Sequence, residues 1–204
     1  MKLYFSPGAC SLSPHIALRE AGLDFTLQKV DTKTKQLDGG GDYLALNGKG
    51  YVPMLEMKDG DRLTEGPAIV QYIADLAPAS KLAPAAGTKE RVRLQEWLNF
   101  ITSEIHKGFT PLFQADTPED YKPIARAKLS KRFDWLAKQL EGKTYLTGDT
   151  FTVADGYLFV VLNWTKFVGI DLTPWPALTA FQARVGARPK VQEALRAEGL
   201  LQKA

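Results

Sequence analysis

One stretch of the chain, Ala77-Pro78-Ala79-Ser80-Lys81-Leu82-Ala83-Pro84-Ala85-Ala86-Gly87, separates two halves that are written in different periods. Small residues broken by prolines make a poor helix or strand and a good linker. Before it, strand and helix signals alternate; after it, only the helical period recurs. The charge balance changes at the same place. Residues 1–80 carry eight Lys/Arg and ten Asp/Glu, whereas residues 81–204 carry eighteen and thirteen. Two domains are therefore expected, over residues 1–80 and 87–204.

In the first half, Lys2-Leu3-Tyr4-Phe5 is a short apolar strand ended by Ser6-Pro7-Gly8. Residues 11–22 carry Leu12, Ile16, Ala17 and Leu18 at helical spacing and stop at Gly22. Residues 25–30 alternate as a strand. Residues 31–50 are polar and glycine-rich. Residues 52–57 and 62–64 are strands joined at Asp59-Gly60. Glu65-Gly66-Pro67 opens a helix with the apolar face Ile69, Ile73 and Leu76. The residues thus spell βαβ, a loop, then ββα. In the second half, Val92, Leu94, Trp97, Leu98, Ile101 and Ile105 keep helical spacing, as do Ile124, Leu129, Phe133, Leu136 and Leu140. Two more helical stretches are expected near 153–168 and 176–197.

Cys10 is the chain's single cysteine, so no intramolecular disulfide can staple the fold. With two histidines, a Cys/His zinc cage is excluded as well. The formal net charge of +3 is too balanced to argue for nucleic acid. The N-terminus lacks the apolar run of a signal peptide, and no segment approaches the ~20 apolar residues of a membrane span. A cytoplasmic, reduced protein is the expectation.

Five constellations could carry chemistry. Cys10 follows a strand and a turn, where a helix is expected to begin, and unbonded N–H groups at a helix start favour a thiolate. Cys10-Ser11-Leu12-Ser13 is a monothiol version of Cys-x-x-Cys, able to hold a mixed disulfide but not to close an internal one. The plain alternative is a small buried core residue. Val52-Pro53 stands before an apolar strand, where cis bonds cluster; there the backbone of Val52 could pair with an extended peptide, although an ordinary trans proline would also fit. Glu65-Gly66 opens a helix whose N–H groups suit a carboxylate while Glu65 meets an ammonium, or it is plain capping. Asn99, Ser103 and His106, spaced +4 and +3, are expected on one polar helix face, either lining a ligand cleft or simply solvated. Thr152 and Asp155 have capping-box spacing and are assigned to folding.

Taken together, these residues resemble the cytosolic glutathione transferases, most closely the bacterial beta class. The resemblance rests on Pro7-Gly8-Ala9-Cys10-Ser11, Gly50-Tyr51-Val52-Pro53, Thr64-Glu65-Gly66-Pro67-Ala68-Ile69, Trp97-Leu98-Asn99-Phe100 with Glu104-Ile105-His106-Lys107-Gly108-Phe109, and Phe151-Thr152-Val153-Ala154-Asp155, spread along essentially the whole chain. It implies a thioredoxin-like N-terminal domain (βαβ-α-ββα), an all-helical C-terminal domain that completes the electrophile site, and a homodimer. It implies glutathione as co-substrate, with no other cofactor and no metal. Val52 would offer its backbone to the cysteinyl part beside cis-Pro53. Glu65 and Gly66 would hold the γ-glutamyl end, and Lys35 would lie near the glycyl end. Cys10 and His106, the expected catalytic residues, would sit beside the sulfur with Lys107 nearby. Asn99, Ser103 and Glu104 would reach glutathione across the dimer interface. The thiolate would then attack a hydrophobic electrophile.

Three positions depart from common family patterns. Gly66 lacks the hydroxyl that often follows the acidic residue. Phe5 stands where many relatives have tyrosine, and the hydroxyl of Tyr4 should point the other way because strand side chains alternate. Asn47-Gly48 replaces a frequent Asn-Pro, which is expected to loosen the loop before Val52. Two other functions fit parts of the pattern. One is a glutathione-dependent disulfide reductase or reductive dehalogenase working through a Cys10 mixed disulfide. The other is a non-catalytic stress protein binding apolar ligands among Tyr4, Phe109, Phe113, Trp164 and Phe167.

Overall fold

The computed structural model describes residues 1–201. The first half contains β1 (Lys2–Phe5), α1 (Leu12–Glu20), β2 (Thr26–Lys29), β3 (Met54–Glu56), β4 (Arg62–Thr64) and α2 (Gly66–Leu76). The four strands form one sheet in the order β2-β1-β3-β4. The pair β1–β2 is parallel, with Leu3 opposite Leu27, so α1 serves as the crossover that a parallel pair requires. The pairs β1–β3 and β3–β4 are antiparallel. This is the expected thioredoxin-like arrangement.

The alternation in β1 distributes its side chains to the two faces of the sheet. Tyr4 joins Val30, Tyr43, Val52 and Met54 in a buried cluster, while Phe5 packs toward the His15 ring of α1, 6.3 Å between centroids. Between β2 and β3, the helix implied by the resemblance is reduced to one turn, in which Leu46 and Asn47 both donate to the Tyr43 carbonyl. Gly39, Gly40 and Gly41, all at positive φ, keep the preceding segment from extending that turn. Leu76, expected on the apolar face of α2 with Ile69 and Ile73, is exposed because the helix ends there.

The second half is helical: α3 (Lys89–Phe100), a π-helical turn (Ile101–His106), α4 (Lys107–Phe113), α5 (Tyr121–Leu140), α6 (Val153–Asn163), a 3₁₀ turn (Trp164–Lys166), α7 (Pro176–Gly186) and α8 (Pro189–Ala197). Every residue of α6 from Val153 to Leu162 is buried, as befits a helix apolar on all sides. Its start is fixed as the capping-box spacing implied. The Asp155 carboxylate accepts from the Thr152 N–H and hydroxyl and from the Leu146 N–H, each at 2.8 Å. Val92 and Ile124, by contrast, fall on exposed faces of their helices.

The chain divides into two compact units, and their limits differ from those expected. The first unit is Met1–Ala83 together with the segment from Arg188 onward, and the second is Pro84–Ala187. The break therefore falls inside the linker, after residue 80. The helical domain expected over 87–204 loses its last helix. The stretch 176–197 is not one helix, because Pro189 cannot continue α7, and α8 packs against α1 instead. Arg188 pairs with Glu20 through two parallel bonds of 2.7 and 2.8 Å. Beyond α8, Glu198 reaches the buried core beside His15. No helix among the described residues is long and apolar enough to cross a membrane.

Candidate active site

In the first unit, the turn after β1 is closed by Ser11, whose fully buried hydroxyl accepts from the Ser6 N–H at 3.1 Å and donates to the Ser6 carbonyl at 3.2 Å. Gly8, at φ 72, donates its N–H to Glu198 at 2.9 Å. Cys10 lies between these two anchors. The helix begins at Leu12 with Ser11 as its N-cap, so Cys10 sits just outside the helix and not at its first position. Its half-buried thiol donates to the Val52 carbonyl at 3.3 Å, a bond that a thiolate could not make.

Val52-Pro53 is a cis peptide. The residue before it, Tyr51, has its carbonyl held by the Tyr43 hydroxyl and the Asn47 amide, both at 2.8 Å. The Asn47 side chain is buried and also accepts from the Lys49 N–H. The Asn47-Gly48 loop, expected to be loose, is thus tied down by the asparagine that it shares with the common Asn-Pro pattern. Gly50, at φ 66, is required there: a Cβ would meet the Leu44 side chain at 3.0 Å. Lys35, also at positive φ, donates to the Gly50 carbonyl at 2.9 Å and lies over the Tyr51 ring.

Glu65 caps α2 with φ 68 and ψ 109, a conformation that costs a non-glycine residue about 1–3 kcal/mol. Its carboxylate is exposed and pairs with Lys49 at 2.8 Å. Gly66 begins α2, and a Cβ built on it would lie 3.9 Å from Pro53. Cys10, Val52, Pro53, Glu65 and Gly66 therefore come together on one edge of the unit, with Lys35 and Lys49 beside them. Tyr4 does not join them. It is core, its hydroxyl donates to Glu56 at 3.0 Å, and burial together with Glu56 raises its pKa. Phe5 has no hydroxyl, so position 5 offers no tyrosine to activate this site.

In the second unit, the polar stripe expected of Asn99, Ser103 and His106 is split. The π-helical turn Ile101–His106 widens the helix, so that Ser103 aligns with Lys107 and not with His106. Ser103 bonds back to the Asn99 carbonyl at 3.0 Å, and Glu104 pairs with Arg132 of α5 at 2.6 Å. Ser103, Glu104 and Lys107 line a cavity of about 430 Å³ with Lys128, Lys131 and Arg132. Gly108 permits the close approach of α4 and α5, since a Cβ there would meet Leu129 at 2.7 Å.

His106 lies on another side, against α6. Its Nδ1 is 2.6 Å from the Tyr157 hydroxyl, and its ring meets Trp164 edge-on at 4.7 Å. Burial, reinforced by the charge of Lys107, pushes its pKa down to about 4, so the ring is neutral at pH 7. Phe109 is buried against Phe133 and Trp164, while Phe113 is 49% and Phe167 70% exposed. The aromatic residues expected to line one pocket thus divide into core and surface. Tyr157, 51 positions from His106, carries no sequence signal that could have joined the two.

Residues 8–76 match the glutathione S-transferase N-terminal domain, and residues 100–189 match the glutathione S-transferase C-terminal domain. The chain belongs to the glutathione S-transferase family. It is 50% identical to the glutathione S-transferase GstA of Escherichia coli O157:H7 over 200 residues, 98% of this chain and 100% of the relative. Among solved structures, a ternary complex of the bacterial transferase BphK shares 60% identity at TM-score 0.97, over 98% of this chain and 100% of that one. A sphingomonad glutathione S-transferase complexed with glutathione shares 48% identity at TM-score 0.95, over the same shares of the two chains. A beta-class transferase of Sphingomonas chungbukensis is equally similar, at 48% identity and TM-score 0.96.

Proposed function

We propose that the protein is an enzyme that conjugates the glutathione thiolate to hydrophobic electrophiles, with glutathione as co-substrate. The observation that carries this reading is the edge of the first unit, where the Val52 main chain, the carboxylate of Glu65 and the N-terminus of α2 stand together. These groups match an extended γ-glutamyl peptide. The Val52 N–H and C=O pair with its cysteinyl backbone, Glu65 takes the ammonium and the Gly66 N–H takes the α-carboxylate. Lys35 serves the glycyl carboxylate. In the structure, the Cys10 thiol and the Lys49 ammonium occupy the acceptors that the peptide would use, Val52 and Glu65.

His106 is the group of the second unit that serves the glutathione sulfur, together with Cys10 of the first and with Lys107 nearby. A neutral, half-buried imidazole can stabilise the thiolate without carrying a charge of its own. The splitting of the polar stripe supports a homodimer in which Asn99, Ser103 and Glu104 serve the glutathione of the partner copy, because they lie on a side of the helix that His106 does not share.

The reading is tested with purified protein, glutathione and a chlorinated nitroarene. Conjugation is expected, and it should persist in Cys10→Ser. If Cys10→Ser abolishes all turnover while the wild-type enzyme accumulates a mixed disulfide with glutathione, disulfide chemistry replaces conjugation as the function. Light scattering should give twice the chain mass.

A further inference from the structure

The chain has two histidines, and each is held by partners that determine where its ring proton resides. At His15 the assignment follows from the donors. Arg19 Nε can only donate, and it lies 2.9 Å from His15 Nε2. Nε2 must accept, so Nδ1 carries the proton and donates it to Glu198 at 2.8 Å.

His106 has the opposite environment. Its Nδ1 is 2.6 Å from the Tyr157 hydroxyl. An N–H donor to a hydroxyl oxygen typically lies at about 2.9–3.0 Å, whereas hydroxyl donors make the shorter bonds. Phenol is also a far stronger acid than a neutral imidazole N–H, and an imidazole lone pair is a better acceptor than a phenol oxygen. Both arguments make Tyr157 the donor. Nε2, meanwhile, forms no hydrogen bond among the described residues, and it is not among the buried polar atoms that lack one, so it remains open to a ligand. Tyr157 is itself buried on α6, whose first turn the Asp155 carboxylate clamps.

We propose that Tyr157 is a positioning residue: its hydroxyl donates to Nδ1 and fixes His106 as the Nε2–H tautomer, a hydrogen-bond donor to the glutathione sulfur and not the base that removes its proton. This rests on the reading that His106 serves the sulfur. The thiol proton then leaves to water, and the remaining anion accepts from Nε2–H. The ring stays neutral throughout.

Nitrogen-15 spectra of the uniformly labelled protein at pH 7 test the proposal, and His106→Gln assigns the two rings. His15 is expected to show its proton on Nδ1, and His106 on Nε2. In Tyr157→Phe, the His106 signals should move toward a mixture of tautomers while those of His15 stay in place. Loss of the one hydrogen bond should lower kcat by about 3–10-fold with KM for the electrophile unchanged. A merely structural role would alter thermal stability and leave the tautomer alone. A proton on Nδ1 of His106 in the wild-type protein overturns the proposal, as does a tautomer unchanged in Tyr157→Phe. If His106→Gln conjugates at the wild-type rate, the donor role toward sulfur falls, and the spectra decide the tautomer separately.

Discussion

The two units present their candidate groups in different materials. The first relies on main chain: the Val52 N–H and C=O, the Gly66 N–H and a strained Glu65 backbone, held in place by Tyr43, Asn47 and Ser11. The second relies on rings, with His106, Tyr157 and Trp164 set around a widened helical turn. Backbone groups offer the same chemistry whatever residue carries them, which suits a co-substrate that never changes. Side chains can be exchanged one at a time, which suits an electrophile that can. The contrast also explains why the first unit needs long-range anchors: a loop of backbone donors keeps its shape only if something outside it holds the ends.

The strongest way to break this comparison is at the anchor of the first unit. Glu198→Ala leaves buried His15 and the Gly8 N–H without their acceptor. It should cost about 3 kcal/mol in urea unfolding and make Cys10 more reactive toward an alkylating reagent. An effect below about 0.5 kcal/mol would show that the loop holds itself.

The second unit should differ in its response to pH. The folded pKa of His106 is pushed from 6.5 down to about 4, so between these values the unfolded chain binds the extra proton. Its contribution is complete above pH 6.5 and declines as the pH falls toward 4, by on the order of 2–3 kcal/mol. The slope of stability against pH over this window should flatten in His106→Gln, and an unchanged slope would contradict the neutral ring.

Two smaller changes sharpen the account of the first unit. On the proposed binding mode, Glu65→Gln removes a charge-assisted bond to the ammonium of glutathione and should raise its KM on the order of tenfold, with little effect on KM for the electrophile. Gly66→Ser adds the hydroxyl that many transferases carry there. The added Cβ meets Pro53 only at ordinary contact distance, so KM for glutathione should fall about 2–5-fold. A rise would mean that the backbone N–H alone sets the fit.

The elements of the first unit were legible because short strands and their turns are local: Asp59-Gly60, Glu65-Gly66-Pro67 and the Thr152–Asp155 cap of the second unit each declare themselves within a few residues. Cys10, Val52 and Glu65 can be singled out in the sequence for the same reason. What stayed hidden was set by distance or by helix geometry. An α-helical period puts Ser103 and His106 on one face, and nothing in the residues announces the π-helical turn that separates them. Helical spacing likewise extends through Ala187-Arg188, and only the packing of α8 on α1 reveals that the last helix belongs with the first. Tyr157 and Glu198 act on partners 51 and 183 or more positions away, beyond the reach of any local pattern.

The clasp of Glu198 on Gly8 has a consequence for the order of events during synthesis. The turn that carries Cys10 is made before its anchor, which follows 190 positions later in the chain. A nascent chain can pair its four strands early, but the thiol's loop waits for the carboxylate of residue 198. A product cut short before residue 198 would retain every residue of the glutathione edge and still lack the clasp that finishes its shape.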